Sequence, residues 1–147
     1  MITIRQFSPG DVPSVMQVVK SSLGESYPPS LYLTVHNLWS EGFLLIQDAG
    51  KVVGFVATVP SGPKVARILM LAVLPERRRR SLGRMLMKEL YAICLEKGRD
   101  TVILEVRKSN KDAISFYEQQ GFSVYGDVKQ FYSNGEDAFK MMRVLQT

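Results

Sequence analysis

The chain has 147 residues, 46% hydrophobic and 22% charged, an ordinary balance for one folded domain with a sizeable core. No apolar run nears the ~20 residues of a membrane span, the start Met1-Ile2-Thr3-Ile4-Arg5 is no signal peptide, and a single cysteine excludes an internal disulfide or a cysteine-based zinc site. An intracellular, cytoplasmic protein is expected, and its formal net charge of +5 suits a polyanionic small ligand, an acidic protein partner or a ribosome.

Ile2, Ile4 and Phe7 alternate with polar residues, so residues 2–6 read as a strand. Ser8-Pro9-Gly10-Asp11 is a helix start, and Val12, Val15, Met16 and Val19 recur at helical spacing behind it. Tyr27-Pro28-Pro29 breaks the chain, and a second helix opens at Pro29 or Ser30, runs towards Trp39 and stops at Glu41-Gly42. Phe43–Gln47 and Val52–Val59 are strands joined by a hairpin turn at Asp48-Ala49-Gly50-Lys51. Gly54 within the second strand predicts a bulge or a close backbone approach. Pro60-Ser61-Gly62-Pro63 turns into a strand over 65–73, whose Arg67-Ile68-Leu69-Met70-Leu71-Ala72-Val73 is stopped by Pro75.

Arg77-Arg78-Arg79-Arg80-Ser81-Leu82-Gly83-Arg84 follows, then a helix to Lys97 with Leu82, Met85, Leu86, Leu90, Ile93 and Cys94 on one stripe and Gly98 as its stop. Thr101–Val106 is a strand. Ser109 or Asn110 caps a short helix to Gln120, ended by Gly121. Phe122–Tyr125 is a strand, and residues 128–133 and 137–145 form a last hairpin around Asn134-Gly135. The resulting order, β-α-α-β-β-β-α-β-α-β-β, is a mixed α/β sandwich in one domain spanning 1–147, with no linker or internal repeat.

A strand, a basic turn with small residues and a helix N-terminus together make an anion site. The first N–H groups of the helix point outward, the dipole favours negative charge, and arginines add forked donors. Four consecutive arginines also fit a nucleic-acid patch or a solvated turn, but they lie in one short turn with no aromatic interleaved, which favours a bound phosphate ligand over nucleic acid. The segment is neither a Walker A loop nor a dinucleotide fingerprint.

Arg78-Arg79-Arg80-Ser81-Leu82-Gly83 resembles the Arg/Gln-x-x-Gly-x-Gly/Ala pyrophosphate loop of GNAT-type acetyltransferases, with Ser81 in the place of the first glycine. Leu104-Glu105-Val106-Arg107-Lys108-Ser109-Asn110, Ala113-Ile114, Tyr117 and Gly121-Phe122 resemble a second block of that family. Phe131-Tyr132-Ser133-Asn134-Gly135-Glu136-Asp137-Ala138 with Met141, and Leu23-Gly24-Glu25-Ser26-Tyr27, resemble signatures of its protein Nα-acetyltransferase branch, which includes ribosomal-protein alanine acetyltransferases. The resemblance implies a mostly antiparallel sheet flanked by helices, in which two central parallel strands splay apart and admit the arm of acetyl-CoA. It implies acetyl transfer to the α-amine of a protein N-terminus by direct attack in a ternary complex. The partner is then a protein or peptide N-terminus, in a ribosomal setting or with an auxiliary subunit or second copy, and away from membranes. Lysine or small-amine acetylation, or a non-catalytic acyl-CoA-binding module, are the alternatives.

On this reading Leu71, Ala72, Val73, Arg78, Arg79, Arg80, Ser81, Leu82, Gly83, Arg84, Asn110 and Tyr117 contact acetyl-CoA. Val73 ends its strand just before the loop, so its N–H is the expected oxyanion donor. Asn110 is also a helix cap without any ligand. Tyr117 matches the family tyrosine near the sulfur, where a phenol can protonate or orient a departing thiolate, although it also lies on the apolar face of its helix. Glu25 and Glu105 are the candidate bases. Glu105 sits in a buried-type strand, where a carboxylate faces a cleft, pairs with Arg67, Arg107 or another arginine, or lies on an exposed face. A resemblance to archaeal Nα-acetyltransferases with glutamate at this place supports a functional role. Glu25 is either a solvated loop residue or, by the Leu-x-Glu-x-Tyr match, part of the site. Many relatives carry histidine at the position of Arg67, and arginine cannot act as a base at neutral pH, which shifts weight to the glutamates. Tyr27, Phe131 and Tyr132 are expected to wall the acceptor slot. His36 reads as packed or solvated, Cys94 as an inert core thiol, and no metal ligand set is expected.

Overall fold

The computed structural model describes residues 1–78 and 81–146. In chain order its main elements are β1 (Ile2–Gln6), α1 (Val12–Leu23), α2 (Pro29–Leu38), β2 (Phe43–Asp48), β3 (Lys51–Pro60), β4 (Val65–Val73), α3 (Leu82–Glu96), β5 (Thr101–Arg107), α4 (Lys111–Gln119), β6 (Ser123–Val128) and β7 (Ala138–Val144). The strands form one sheet in the order β1-β2-β3-β4-β5-β7-β6. Every neighbouring pair is antiparallel except β4 and β5, which the α3 crossover makes parallel. This is the mixed, mostly antiparallel sheet flanked by helices that the sequence predicts.

Val52–Thr58 is buried throughout, which requires cover on both faces of β3. α1 and α2, packed against each other, cover one face and α3 covers the other. Leu82, Leu86, Leu90 and Cys94 carry the buried stripe of α3 as predicted, but Met87 is buried with them and Met85 is 39% exposed. Gly98 and Gly121 follow α3 and α4 with φ of 77° and 88°, the left-handed conformation of helix C-termini. Burial pushes the Cys94 thiol up to about 11, so it stays protonated in the core. His36 packs edge-on against Phe7 at 5.3 Å between ring centroids.

The β3–β4 register places Thr58 opposite Ile68 but Ala57 opposite Met70, so Leu69 is an extra residue in β4. Such a bulge bends its strand and increases its twist. It falls where β4 leaves β5: their pairing runs from Val65–Thr101 to Ile68–Leu104 and goes no further, although β4 continues to Val73 and β5 to Arg107. The predicted close approach at Gly54 is real, because a Cβ there would lie 2.9 Å from the Ala72 carbonyl oxygen.

The C-terminal hairpin differs from expectation. Of residues 128–133 only Val128, the end of β6, is strand; β6 pairs with β7, and residues 129–137 form the connecting loop. Asn134-Gly135 does make a tight turn, but within that loop: Gly135 N–H donates to the Tyr132 carbonyl at 2.9 Å and Tyr132 N–H to that of Glu136 at 3.2 Å. Gln130 is left-handed at φ 51° and donates its N–H to the Asp137 side chain at 2.9 Å, which ends the extended run.

Ser81, immediately before α3, has φ 65° and ψ 14°. A side chain there costs roughly 1 kcal/mol that glycine avoids. Its hydroxyl accepts from Arg84 Nη2 at 2.7 Å on an exposed surface, which offsets part of this. Ser81→Gly is expected to raise stability by about 0.5–1 kcal/mol, seen as a higher urea midpoint at unchanged slope. A lower midpoint would mean that the Arg84 contact outweighs the backbone strain.

Candidate active site

The divergence of β4 from β5 opens a gap in the centre of the sheet. Leu74 N–H donates to the Val53 carbonyl at 2.8 Å, on the β3 side. Donors alternate along a strand, so the N–H groups of Leu71 and Val73 point away from β3 into the gap. An N–H left without a partner in a dry site costs about 1–3 kcal/mol, so these are donors suited to a ligand oxygen. Both are among the residues whose contact with acetyl-CoA the resemblance implies.

Ser81, Leu82, Gly83, Asn110 and Tyr117, five of the residues expected to contact acetyl-CoA, lie in or beside α3 and α4. Ser81 and Gly83 begin α3, and a Cβ at Gly83 would meet Phe116 of α4 at 3.4 Å, so the small residue lets the two helices approach. Tyr91 of α3 donates to Gln120, after α4, at 2.9 Å. Asn110 caps α4, its Oδ1 accepting from Ala113 N–H at 3.1 Å. Tyr117 is 9% exposed, between Phe116 and Phe122 with ring centroids 5.3 and 5.6 Å away. Burial pushes its phenol upward, so it stays protonated and able to donate. Arg78 ties the end of β4 to α1, donating to the carbonyls of Val73 at 3.3 Å and Ser22 at 3.1 Å. Arg79 and Arg80 lie outside the described residues.

The candidate acceptor groups converge elsewhere. Glu105 and Arg107 are two apart on β5 and share a face, opposite to the buried Leu104 and Val106. Arg107 is the hub of that face. It donates to Glu25 Oε1 at 3.1 Å, Glu136 Oε2 at 2.6 Å and Asn134 Oδ1 at 3.3 Å, and its guanidinium lies 3.9 Å from the Tyr132 ring centroid. The Tyr27 hydroxyl donates to Glu25 Oε2, and Ser109 donates to Glu136 Oε1 at 2.7 Å. Burial, reinforced by the Glu25 hydrogen bond, pushes the Tyr27 phenol up to about 12. One cation thus ties the α1–α2 loop, β5 and the β6–β7 loop together. Each exposed ion pair is worth only about 0–1 kcal/mol, so the clamp's main effect is geometric.

Glu105 takes the ion-pair alternative, and its partner is Arg67. Nε and Nη2 of Arg67 both donate to Oε1, at 2.9 and 2.7 Å. Tyr132 links the groups: its phenol is pushed up by burial and, against the pull of Arg107, by Glu105, Glu25 and Glu136. Tyr117 in turn feels Tyr132. Arg107 thus holds Glu25 and the Tyr132 ring against the β5 face that also bears Glu105. Phe131 packs edge-on to Tyr132 at 5.0 Å and is 40% exposed, at the rim rather than within. In the sequence Arg107 is marked only as a possible partner of Glu105; the i, i+2 spacing on a strand is the sign that the two share a face. Nothing local in the sequence marked Glu136 and Asn134 as its partners.

Comparison with known proteins agrees with this geometry. The sequence model of the acetyltransferase (GNAT) family matches residues 12–122. Over 151 aligned residues the chain is 34% identical to the N-terminal acetyltransferase complex ARD1 subunit homolog of Dictyostelium discoideum, covering 99% of this chain and 74% of that protein. The crystal structure of Ard1 from Thermoplasma volcanium matches with a TM-score of 0.96 at 38% identity, covering 99% of each chain. Chaetomium thermophilum Naa20, solved in complex with a bisubstrate analogue, matches with a TM-score of 0.85 at 29% identity, covering 97% of this chain and 86% of that one. With the family model matching most of its length and the splayed sheet in place, the chain belongs to the GNAT acetyltransferase family.

Proposed function

We propose that this acetyltransferase moves an acetyl group from acetyl-CoA to the α-amine of a protein or peptide N-terminus, by direct attack in a ternary complex. The observation that carries the reading is the gap between β4 and β5. It joins backbone donors and a small-residue helix start to the β5 face where Glu105 meets Arg67 and where Arg107 holds Glu25 and Tyr132. The N–H groups of Leu71 and Val73, the turn at Ser81 and the start of α3 suit the pantetheine and phosphate groups of acetyl-CoA. Bound there, acetyl-CoA supplies the activated thioester.

The chain's own groups then have distinct tasks. Val73 N–H stabilises negative charge developing on the acetyl oxygen, and Leu71 N–H, two residues back along β4, is left to the pantetheine arm. Tyr117, kept protonated by burial, donates to the departing sulfur. The two glutamates are not equivalent. Both oxygens of Glu25 are engaged, by Tyr27 and Arg107, so Glu25 shapes the slot. Glu105 has one oxygen on Arg67, and among the described residues nothing donates to the other. Glu105 Oε2 is therefore the proton acceptor for the amine, directly or through one water. Tyr27 and Tyr132 wall the slot, with Phe131 at its entrance.

The relatives' naming as complex subunits supports an auxiliary partner. The net charge of +5 favours an acidic or ribosomal surface where nascent N-termini emerge, in the cytoplasm. Among the described residues no helix is long and apolar enough to cross a membrane.

An α-amine of pKa ~8 carries about two orders of magnitude more neutral base at pH 7.5 than a lysine ε-amine of pKa ~10.4. Labelled acetyl-CoA offered to peptides varied at positions one and two is expected to acetylate α-amines at least tenfold faster than an N-blocked, lysine-containing control. Preference for the lysine control or for a polyamine would overturn the acceptor assignment and leave the family intact.

Glu105→Gln is expected to lower kcat about 10²-fold at pH 7, with a smaller loss at pH 9, where more amine is already neutral. Glu25→Gln is expected to raise the peptide KM more than it lowers kcat. Steady-state profiles of both variants check this, and full turnover by Glu105→Gln at pH 7 would remove it as the base.

A further inference from the structure

We infer that Arg67 is a positioning residue that aims the reactive oxygen of Glu105; this deepens the reading of Glu105 as proton acceptor and rests on it. The two residues flank the point where the sheet opens. The last β4–β5 rung is Ile68–Leu104. Arg67 lies one residue before that rung on β4, and Glu105 one residue after it on β5. Arg67 and its register partner Ile103 share a sheet face, and Glu105, two residues beyond Ile103, shares it too. The long arginine side chain needs only to lean along the strand to reach the carboxylate.

The manner of contact carries the inference. An arginine and a carboxylate meeting fork to fork occupy both oxygens. Here Nε and Nη2 converge on Oε1 alone, at 2.9 and 2.7 Å. Two donors pin Oε1 and leave Oε2 outside the pair, and with Oε1 held and the side chain tethered to β5 the direction of Oε2 is set. The exposures agree. The Glu105 side chain is 12% exposed and that of Arg67 36%, so the cation stands on the solvent side and the carboxylate inside. The other cation at hand does not compete: Lys140 is the register partner of Glu105 on β7, but its Nζ lies 5.0 Å from the Tyr125 ring centroid, and among the described residues Arg67 is the only ion-pair partner of Glu105. Arginine holds its proton at neutral pH, so its contribution at this place is orientation rather than proton transfer.

A purely structural ion pair would staple the two strands and do no more. Loss of aim and loss of a staple read out differently. Misplacing a reacting group by about 1 Å costs up to 10²-fold in rate, whereas a lost staple lowers the melting temperature and loosens substrate binding. The test is a cycle of Arg67→Gln, Arg67→Lys, Glu105→Gln and the double variant Arg67→Gln/Glu105→Gln. Steady-state kinetics with a single peptide and acetyl-CoA, and a thermal melt, are measured for each. Arg67→Gln is expected to lower kcat about five- to twentyfold with both KM values within twofold of wild type. Arg67→Lys, which keeps the charge with a single donor point, should recover part of that loss. The double variant should turn over no more slowly than Glu105→Gln alone, because aim is worthless without the group aimed. Wild-type kcat in Arg67→Gln beside a slow Glu105→Gln, or losses that multiply in the double variant, would overturn the positioning role and leave Glu105 as base. Wild-type turnover in Glu105→Gln would overturn the base assignment itself. Should Arg67→Gln fail to fold, Arg67→Lys decides: full turnover and unchanged KM with the fork removed would also overturn the role.

Discussion

The molecule depends on two parallel strands failing to stay together. β4 and β5 pair as far as Ile68 and Leu104, and then the extra residue Leu69 bends β4 away. Continuing the ladder would satisfy more backbone groups, each worth about 1 kcal/mol net. The fold forgoes that and keeps the N–H groups of Leu71 and Val73 directed into a gap. The gap is held open from both ends. Gly54 lets β3 approach the Ala72 carbonyl so closely that a Cβ would not fit, which fixes β4 on its other side. On the β5 side, β7 pairs along the whole of Thr101–Arg107 and holds that strand in the sheet.

Two kinds of surface meet at the opening. On the α3–α4 side the groups are backbone donors, small residues and a buried phenol, suited to a long anionic ligand that must come close to the main chain. On the other side they are carboxylates and guanidiniums with aromatic walls. Arg107 draws the α1–α2 and β6–β7 loops onto β5, so the slot has walls although both loops are outside the regular sheet. Arg67 donates twice to one oxygen of Glu105, and on the proposed reading it leaves proton transfer to that neighbour and sets its alignment. Ser81 takes a left-handed backbone conformation that glycine suits better, at a cost in local strain.

Much of this was legible in the sequence. Strand and helix spans, the Asn110 cap, the glycine stops and the close approach at Gly54 all follow from local chemistry, because each depends on a few adjacent residues. Long-range register was not legible. Nothing in Arg67-Ile68-Leu69-Met70 says which residue goes unpaired, since the bulge is set by the partner strand. The aromatic run at 131–133 has strand composition, yet the side chain of Asp137 captures Gln130 N–H and turns the backbone there. Met85 and Met87 both lie near the apolar stripe of α3, and only the sheet and α4 decide which is buried. The partners of Arg107 come from segments 82 and 29 residues away, beyond any spacing rule.

The central claim is that the β4–β5 opening receives acetyl-CoA through the backbone of β4. Residue-resolved amide hydrogen exchange, with and without saturating acetyl-CoA, tests it most directly. Slower exchange is predicted at Leu71 and Val73 and along residues 81–84, with β1 and β2 unchanged. Unaltered exchange at Leu71 and Val73 while protection appears elsewhere would contradict it, because the donors that the bulge turns into the gap would then have no ligand to meet.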